Sequence, residues 1–319
     1  MRSRRLLRRA LPFLVGVAAL AGLVVVVDPR ALGRALTRFD PVAVPLLVAL
    51  TTCWFVLQGL RWHLLLRAAG SALGALDSVL LSVSGQVVTA ILPLGDLTRA
   101  IFASEAAGVE FGTAAATVTV QELTFTLCLV LVAAPGILAL RVGTGAAAAV
   151  VAGVAAIFAI LTVPQLYRPV RGAAGWLPLP GRLWEQVDRL QRDSAALLRR
   201  PATLGWSALD LLRAVVGATA LWLILQVLEP NAVDWWRAAL VVAVAYVGGA
   251  VSFLPGGTGA NDASAVGLLV LSGLDPGTAA AAALLQRVTF TGLATGLGLA
   301  AYLVARRRLS LGRLLPRAA

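Results

Sequence analysis

Glu122 and Arg287 occupy matching places in two similar stretches, GVEFGTAAATVTVQELTFT from Gly108 to Thr126 and GLDPGTAAAAALLQRVTFT from Gly273 to Thr291. Each follows a glutamine, Gln121 or Gln286, and each lies in an apolar run. A charged side chain at the centre of a membrane costs at least about 2.5–3.5 kcal/mol on insertion scales, so it faces a partner or water. Glu122 and Arg287 therefore have three roles open to them. They form an ion pair, they share a cavity in which Arg287 draws an anionic headgroup, or they only fix helix packing. Asp96 and Arg99, three apart, can share a helix face. Asn261 and Asp262 open a short segment after a Pro-Gly break, where Asp262 fits as an N-cap or as the carrier of a coupling proton. A helix start at mid-depth also attracts phosphate, which that aspartate would oppose. Gln58 and Gln226 match within WFVLQGL and WLILQVL, as site residues or as interhelical hydrogen-bond partners. The one histidine, His63, sits beside Arg61 at a span end and reads as a headgroup-level residue. No nucleophile–His–acid arrangement and no metal spacing appears, so neither an enzyme nor a cofactor is expected.

These residues need elements to hold them. The chain has 319 residues, 59% hydrophobic and 13% charged, with mean hydropathy +0.88. A soluble domain carries about a quarter charged residues, so this composition is that of an integral membrane protein. The formal charge of +12 is not that of a nucleic-acid binder. Its arginines cluster at Met1–Arg9, Arg61–Arg67, Arg168–Arg200 and Arg306–Arg317, where they flank apolar runs as the positive-inside bias requires. Cys53 and Cys128 read as packing residues.

Six runs are long enough to span: Leu11–Val27 (read as a retained signal anchor), Val42–Leu60, Thr113–Ala134, Ala146–Val163, Leu204–Leu228 and Ala279–Val304. Two more are broken, Ala75–Ala107 at Pro93-Leu94-Gly95 and Trp236–Ser272 at Pro255-Gly256-Gly257 with Gly259 following. Proline removes a helix donor and glycine frees the backbone. The second half of each broken run has about 11 residues, roughly 16 Å of helix, too short to cross, which predicts a re-entrant hairpin over two kinked spans. The expected fold is thus all-α, about six full spans plus two re-entrant hairpins. Residues 1–40 form the anchor and an outer loop, 41–164 a first repeat with its hairpin at 75–107, and 165–203 a basic linker. Residues 204–305 form a second repeat with its hairpin at 236–273, and 306–319 a basic tail. Within the linker, Gly181–Arg200 reads as an amphipathic helix at the membrane surface. With the N-terminus in the cytoplasm, every large arginine cluster falls on that side, and the repeat is inverted. Inverted repeats with breaks at matching places characterise transporters whose site lies near the midplane.

GLRWHLLLRAAG (Gly59–Gly70), LPLGDLTRAIF (Leu92–Phe102), FLPGGTGANDASAV (Phe253–Val266) and LLQRVTF (Leu284–Phe290) resemble the flippase-like transmembrane domain of lysylphosphatidylglycerol synthase/flippase proteins and their stand-alone relatives. The resemblance runs from Asp40 to Arg306. It implies an inner-membrane protein that moves aminoacylated or polyprenyl-linked lipids between leaflets. Arg99 and Arg287 match the family's basic positions. The chain departs from the pattern at Gly95-Asp96 (Gly-Glu in the family), at Gln121-Glu122 followed by Phe125 (Glu-Arg then Asp), and at Asn261-Asp262 (an Arg/Glu-type pair). No aminoacyl-transfer domain follows Ala319, so a stand-alone member without synthase activity is expected. The expected partners are membrane lipids with anionic headgroups. The alternative is a membrane anchor for a separate lipid-modifying or glycosyl transferase, docked through Arg168–Arg200.

Overall fold

The computed structural model describes residues 29–89, 95–139, 158–160, 163–173, 181–252 and 259–309, with single positions or pairs at 152–153, 155–156, 175 and 257. The expected first span, most of Ala146–Val163, and the break residues Pro93, Pro255 and Gly256 lie outside them.

Every regular element among the described residues is a helix: α1 Pro29–Thr37, α2 Val44–Ala68, α3 Ala75–Thr89, α4 Thr98–Ala107, α5 Phe111–Ala139, α6 Pro164–Ala173, α7 Gly181–Leu198, α8 Pro201–Leu228, α9 Trp235–Val251, α10 Ala260–Leu271, α11 Pro276–Arg287 and α12 Leu293–Arg308. A π-helical turn, Val288–Gly292, joins α11 to α12. Four helical stretches are long and apolar enough to span a membrane: Pro41–Ala68, Phe111–Ile137, Pro201–Leu228 and Pro276–Arg308. They contain four of the expected spans. The first of these does not stop at Arg61 but continues to Ala68. The expected outer loop before Asp40 is helix α1, which packs on α11.

Local chemistry explains the boundaries. Asp40 accepts a hydrogen bond from Val42 N at 2.9 Å, and Asp234 one from Arg237 N at 2.9 Å, so each caps the helix it precedes. Asp275 caps α11, accepting from Gly277 N at 2.9 Å and Thr278 N at 3.2 Å, with Pro276 in the first turn. Gly108, at φ 64°, ends α4 in the left-handed region. The all-buried run Ala279–Ala283 presents no bulk, so α11 lies close against α1, α8 and α10.

Packing runs α3 on α12, α9 on α5, α2 on both α3 and α8, and α8 on α9. Three crossings are close enough to need glycine, one of them α2 on α3, where a Cβ on Gly59 would meet Val79 Cα at 2.7 Å. A Cβ on Gly136 of α5 would meet Trp236 O at 2.2 Å, and one on Gly298 of α12 would meet Val83 O at 2.8 Å.

At one end of the bundle Arg200 Nη1 donates to Ala68 O at 2.6 Å, and Arg308 Nε meets Asp77 Oδ1 at 3.0 Å. There too Thr113 donates to Asp193 at 3.2 Å and Arg189 pairs with Glu110, which seats α7 on the start of α5. So the start of α3 and the end of α4, which turns through Gly108 into α5, share this arginine-rich end. The amphipathic α7 is bedded on protein, with Gln191, Ser194, Leu197 and Leu198 buried. Helix α6 beside it was not expected; its Arg171 stacks 3.7 Å over the Trp184 ring and pairs with Asp188 at 3.2 Å. At the opposite end Leu228, Val233 and Leu274 share one apolar cluster, so α9 starts and α10 finishes there.

Two outcomes are expected. Gly136→Ala and Gly298→Ala each force a backbone shift costing about 1–3 kcal/mol, read as a lower unfolding midpoint in detergent. Gly296→Ala, with nothing within 4 Å and a helix-interior position, is expected to raise the midpoint slightly. Asp275→Ala costs about 1 kcal/mol of cap. The Thr278 hydroxyl, aided by backbone N–H groups, holds the Asp275 carboxyl below the usual carboxylate range. Its contribution is therefore present at neutral pH and lost as pH falls through that lowered value, so the wild-type advantage over Asp275→Ala shrinks in acid.

Candidate functional site

The break between α9 and α10 brings α10 to the cavity. Gly257 and Gly259 have φ 63° and 85°, and a Cβ on Gly257 would sit 3.0 Å from Gly249 Cα, so Gly257 lies this close to α9 because it carries no side chain. Gly259 holds the cap position of α10. Asp262 is three residues inside instead of capping as expected, and its Oδ2 accepts from Gly259 N at 3.0 Å. The same carboxylate takes a forked pair of bonds from Arg287, Nε to Oδ1 at 2.7 Å and Nη2 to Oδ2 at 2.6 Å. Such a bidentate contact is the strong form of the Arg–carboxylate bond. Arg287 closes α11, and the π-helical turn after it brings Phe290 and Thr291 to the same cavity. The cavity measures about 140 Å³; Asp262, Arg287, Asn261 and Gln286 give its polar side, and Trp54, Phe125 and Tyr246 its aromatic side.

A second charged cluster lies behind the aromatic side. Arg99 of α4, fully buried, holds Glu122 Oε1 at 2.5 Å and donates to Gln121 Oε1 at 2.9 Å, with Asp96 3.7 Å away. Tyr246 donates to Glu122 Oε2 at 2.6 Å. Gln58 joins from α2: its carbonyl accepts from Gln121 at 2.7 Å and its amide approaches Glu122 at 3.5 Å. Gly95 opens a single 3-10 turn, Gly95–Leu97, that leads into α4.

The expected Glu122–Arg287 pair is therefore not what forms. Glu122 takes Arg99 and Arg287 takes Asp262. Each matched position finds the opposite charge on the short helix that precedes it, arginine in one case and aspartate in the other. That is why the glutamate of one stretch is an arginine in the other. Gln226 does not reach the cavity either; it donates to Val233 O at 3.2 Å and accepts from Asn231 N at 3.0 Å, tying the loop after α8. His63 shares a 3.2 Å hydrogen bond with Ser78 and is half-buried. Cys53 lies on the exposed surface instead of packing inside.

Four residues of this region escape a reading of the sequence. Arg61, taken for an end-of-span marker, is fully buried and holds Asp210 at 2.9 Å, also fully buried, with Thr124 donating to Asp210 at 2.7 Å. Arg213, one helical turn on, lies 3.7 Å from the Trp54 ring centroid and 3.8 Å from that of Phe125, with Nη1 3.9 Å from Glu122. Tyr246 is the fourth. The signal was Asp210-Leu-Leu-Arg213 inside the run Leu204–Leu228, where two charges are too costly to be incidental.

Residues 13–298 match the model of the lysylphosphatidylglycerol synthase TM region. No curated protein matches the chain.

Reciprocal exchange tests the pairing. Asp262→Arg with Arg287→Asp is expected to recover part of the stability that either single change loses. Glu122→Arg with Arg287→Glu is expected to lose at least the sum of its singles. Removing one partner of a buried pair costs about 3–5 kcal/mol, well within reach of unfolding midpoints in detergent.

Proposed function

The chain belongs to the lysylphosphatidylglycerol synthase TM-region family, and from that premise we propose that it is a lipid flippase. It moves an anionic, aminoacylated or polyprenyl-linked lipid between leaflets by alternating access and makes no covalent change to it. The observation that carries this reading is the forked Asp262–Arg287 pair at a helix break, bordering a mainly apolar cavity whose few polar groups include this pair. Non-helical backbone at membrane depth is tolerated only where protein or water surrounds it, and broken helices around a cavity are a transporter's way of building a site.

The packing supports an inverted repeat. Equating α2 with α8, α3–α4 with α9–α10, and α5 with α11–α12 turns the contact of α3 with α12 into that of α9 with α5. It likewise turns α2 on α3 into α8 on α9. Helix α3 has 15 residues and α4 has 10, about 22 Å and 15 Å against a core of about 30 Å. Their outer ends meet at the arginine-rich end, which fits a re-entrant hairpin from that side; α9 and α10 fit one from the other side. The arginine-rich end then faces the cytoplasm of a cell membrane, with both termini there.

The cavity is smaller than the roughly 300–1,000 Å³ of a pocket that engulfs a ligand. It suits a headgroup, with the acyl chains left in lipid. Arg287 would hold the anionic part in exchange for Asp262, whose carboxylate keeps the bond from Gly259 N.

Proteoliposomes carrying a fluorescent acidic phospholipid test this. Wild-type protein is expected to speed leaflet exchange above protein-free vesicles, and Arg287→Gln to slow it about tenfold, equivalent to ~1.4 kcal/mol. Folded protein that exchanges no acidic, aminoacylated or polyprenyl lipid contradicts the reading.

A further inference from the structure

Among the described residues Arg213 is a buried arginine with two unmet donors, against one, Nη1, on Arg61, whose Nε holds Asp210. The Arg213 side chain is 1% exposed. Nε and Nη1 have no hydrogen-bond partner among the described residues, and the nearest carboxylate oxygen, on Glu122, stands 3.9 Å off. Arg61 and Arg99, buried beside it, each have a carboxylate within 2.9 Å. A buried cation without hydrogen bonds is costly. The Trp54 and Phe125 faces at 3.7 and 3.8 Å offset part of this through the ring quadrupole. They accept no N–H bond of the strength a carboxylate or phosphate gives.

Those two rings are also the cavity wall, and Gly217, one turn beyond Arg213 on α8, borders the cavity too. The guanidinium thus waits on the far side of an aromatic partition from Arg287. Glu122 is the nearest carboxylate, an ion-pair distance of 3.9 Å without a hydrogen bond, and its oxygens already accept from Arg99, Tyr246 and Gln58.

We propose that Arg213 is a second anion station, taking the phosphodiester of a lipid headgroup that has passed the Trp54–Phe125 partition from the Arg287 side. The inference rests on the flippase reading and adds to it a residue and a ligand chemistry. Rotation of either ring opens the partition. An incoming phosphate oxygen then meets the unmet N–H groups, and the forked guanidinium geometry favours it over a point-charge ammonium. Two arginine stations on opposite sides of one partition let the headgroup keep a counter-ion throughout its passage.

Binding measured apart from transport tests this. Purified protein in nonionic detergent is titrated with dihexanoylphosphatidylglycerol, and separately with inorganic phosphate, while the unfolding midpoint is followed. The wild type is expected to show a saturable rise with the lipid. Arg213→Gln should leave only the smaller rise that Arg287 supports, and Arg213→Lys, which keeps the charge between the rings, should weaken the apparent affinity about tenfold, or ~1.4 kcal/mol. A rise with inorganic phosphate that depends equally on Arg213 also supports the station and assigns it to free phosphate. No rise in the wild type with either probe overturns the proposal. So does a rise unchanged in Arg213→Lys, the variant that remains informative if Arg213→Gln does not fold. Arg213-dependent binding by a protein that exchanges no lipid would leave this station standing and remove the flippase reading. Lipid exchange with binding indifferent to Arg213 would do the reverse.

Discussion

A charge inside the membrane must have a counter-charge, and the interior of this protein is arranged around that requirement. Arg61 meets Asp210, Arg99 meets Glu122, and Arg287 meets Asp262. Each pair joins two different helices: α2 to α8, α4 to α5, and α10 to α11. Replacing one member leaves the other desolvated and alone, which costs more than the pair contributes. The pairs therefore do less to raise stability than to specify which helices meet and in which register. They also fix the broken segments, whose short second helices bury little surface of their own.

The same constraint makes a site. Pairs that are sealed, such as Arg61–Asp210, only hold helices. The Asp262–Arg287 pair borders a cavity, with Arg287 15% exposed, so a solute can reach it. On the proposed flippase reading, a headgroup's negative charge takes the aspartate's place on Arg287, and Asp262 keeps the bond from Gly259 N. The aromatic wall of Trp54, Phe125 and Tyr246 separates this pair from the Arg99–Glu122 cluster, and Tyr246 touches both sides.

Much of this was legible in the sequence, for physical reasons. Apolar runs of spanning length, the short apolar segments after two Pro-Gly breaks, and the paired stretches around Gln121 and Gln286 all translate into helices near where they were expected. Arg99, Glu122, Asp262 and Arg287 were visible as charges too costly to be idle. Their partners were not visible, because pairing depends on which helices cross, and Glu122 and Arg287 alone looked complementary. Asp210 and Arg213 were hidden by averaging, since two charges in a long apolar run barely change its hydropathy. Gln226 misled by similarity: it occupies the place of Gln58 in a matching motif, but at the very end of its helix and not well inside it, where a loop claims it.

The most direct measurement is a cryo-electron microscopy map of the protein in nanodiscs containing acidic phospholipid. A headgroup density within hydrogen-bond reach of Arg287, beside Asn261 and Gln286, with acyl chains leading out between helices, is the expected result. Lipid density confined to the outer surface, with Asp262 and Arg287 closed off by side chains and the break turned away from the bundle, would contradict the account.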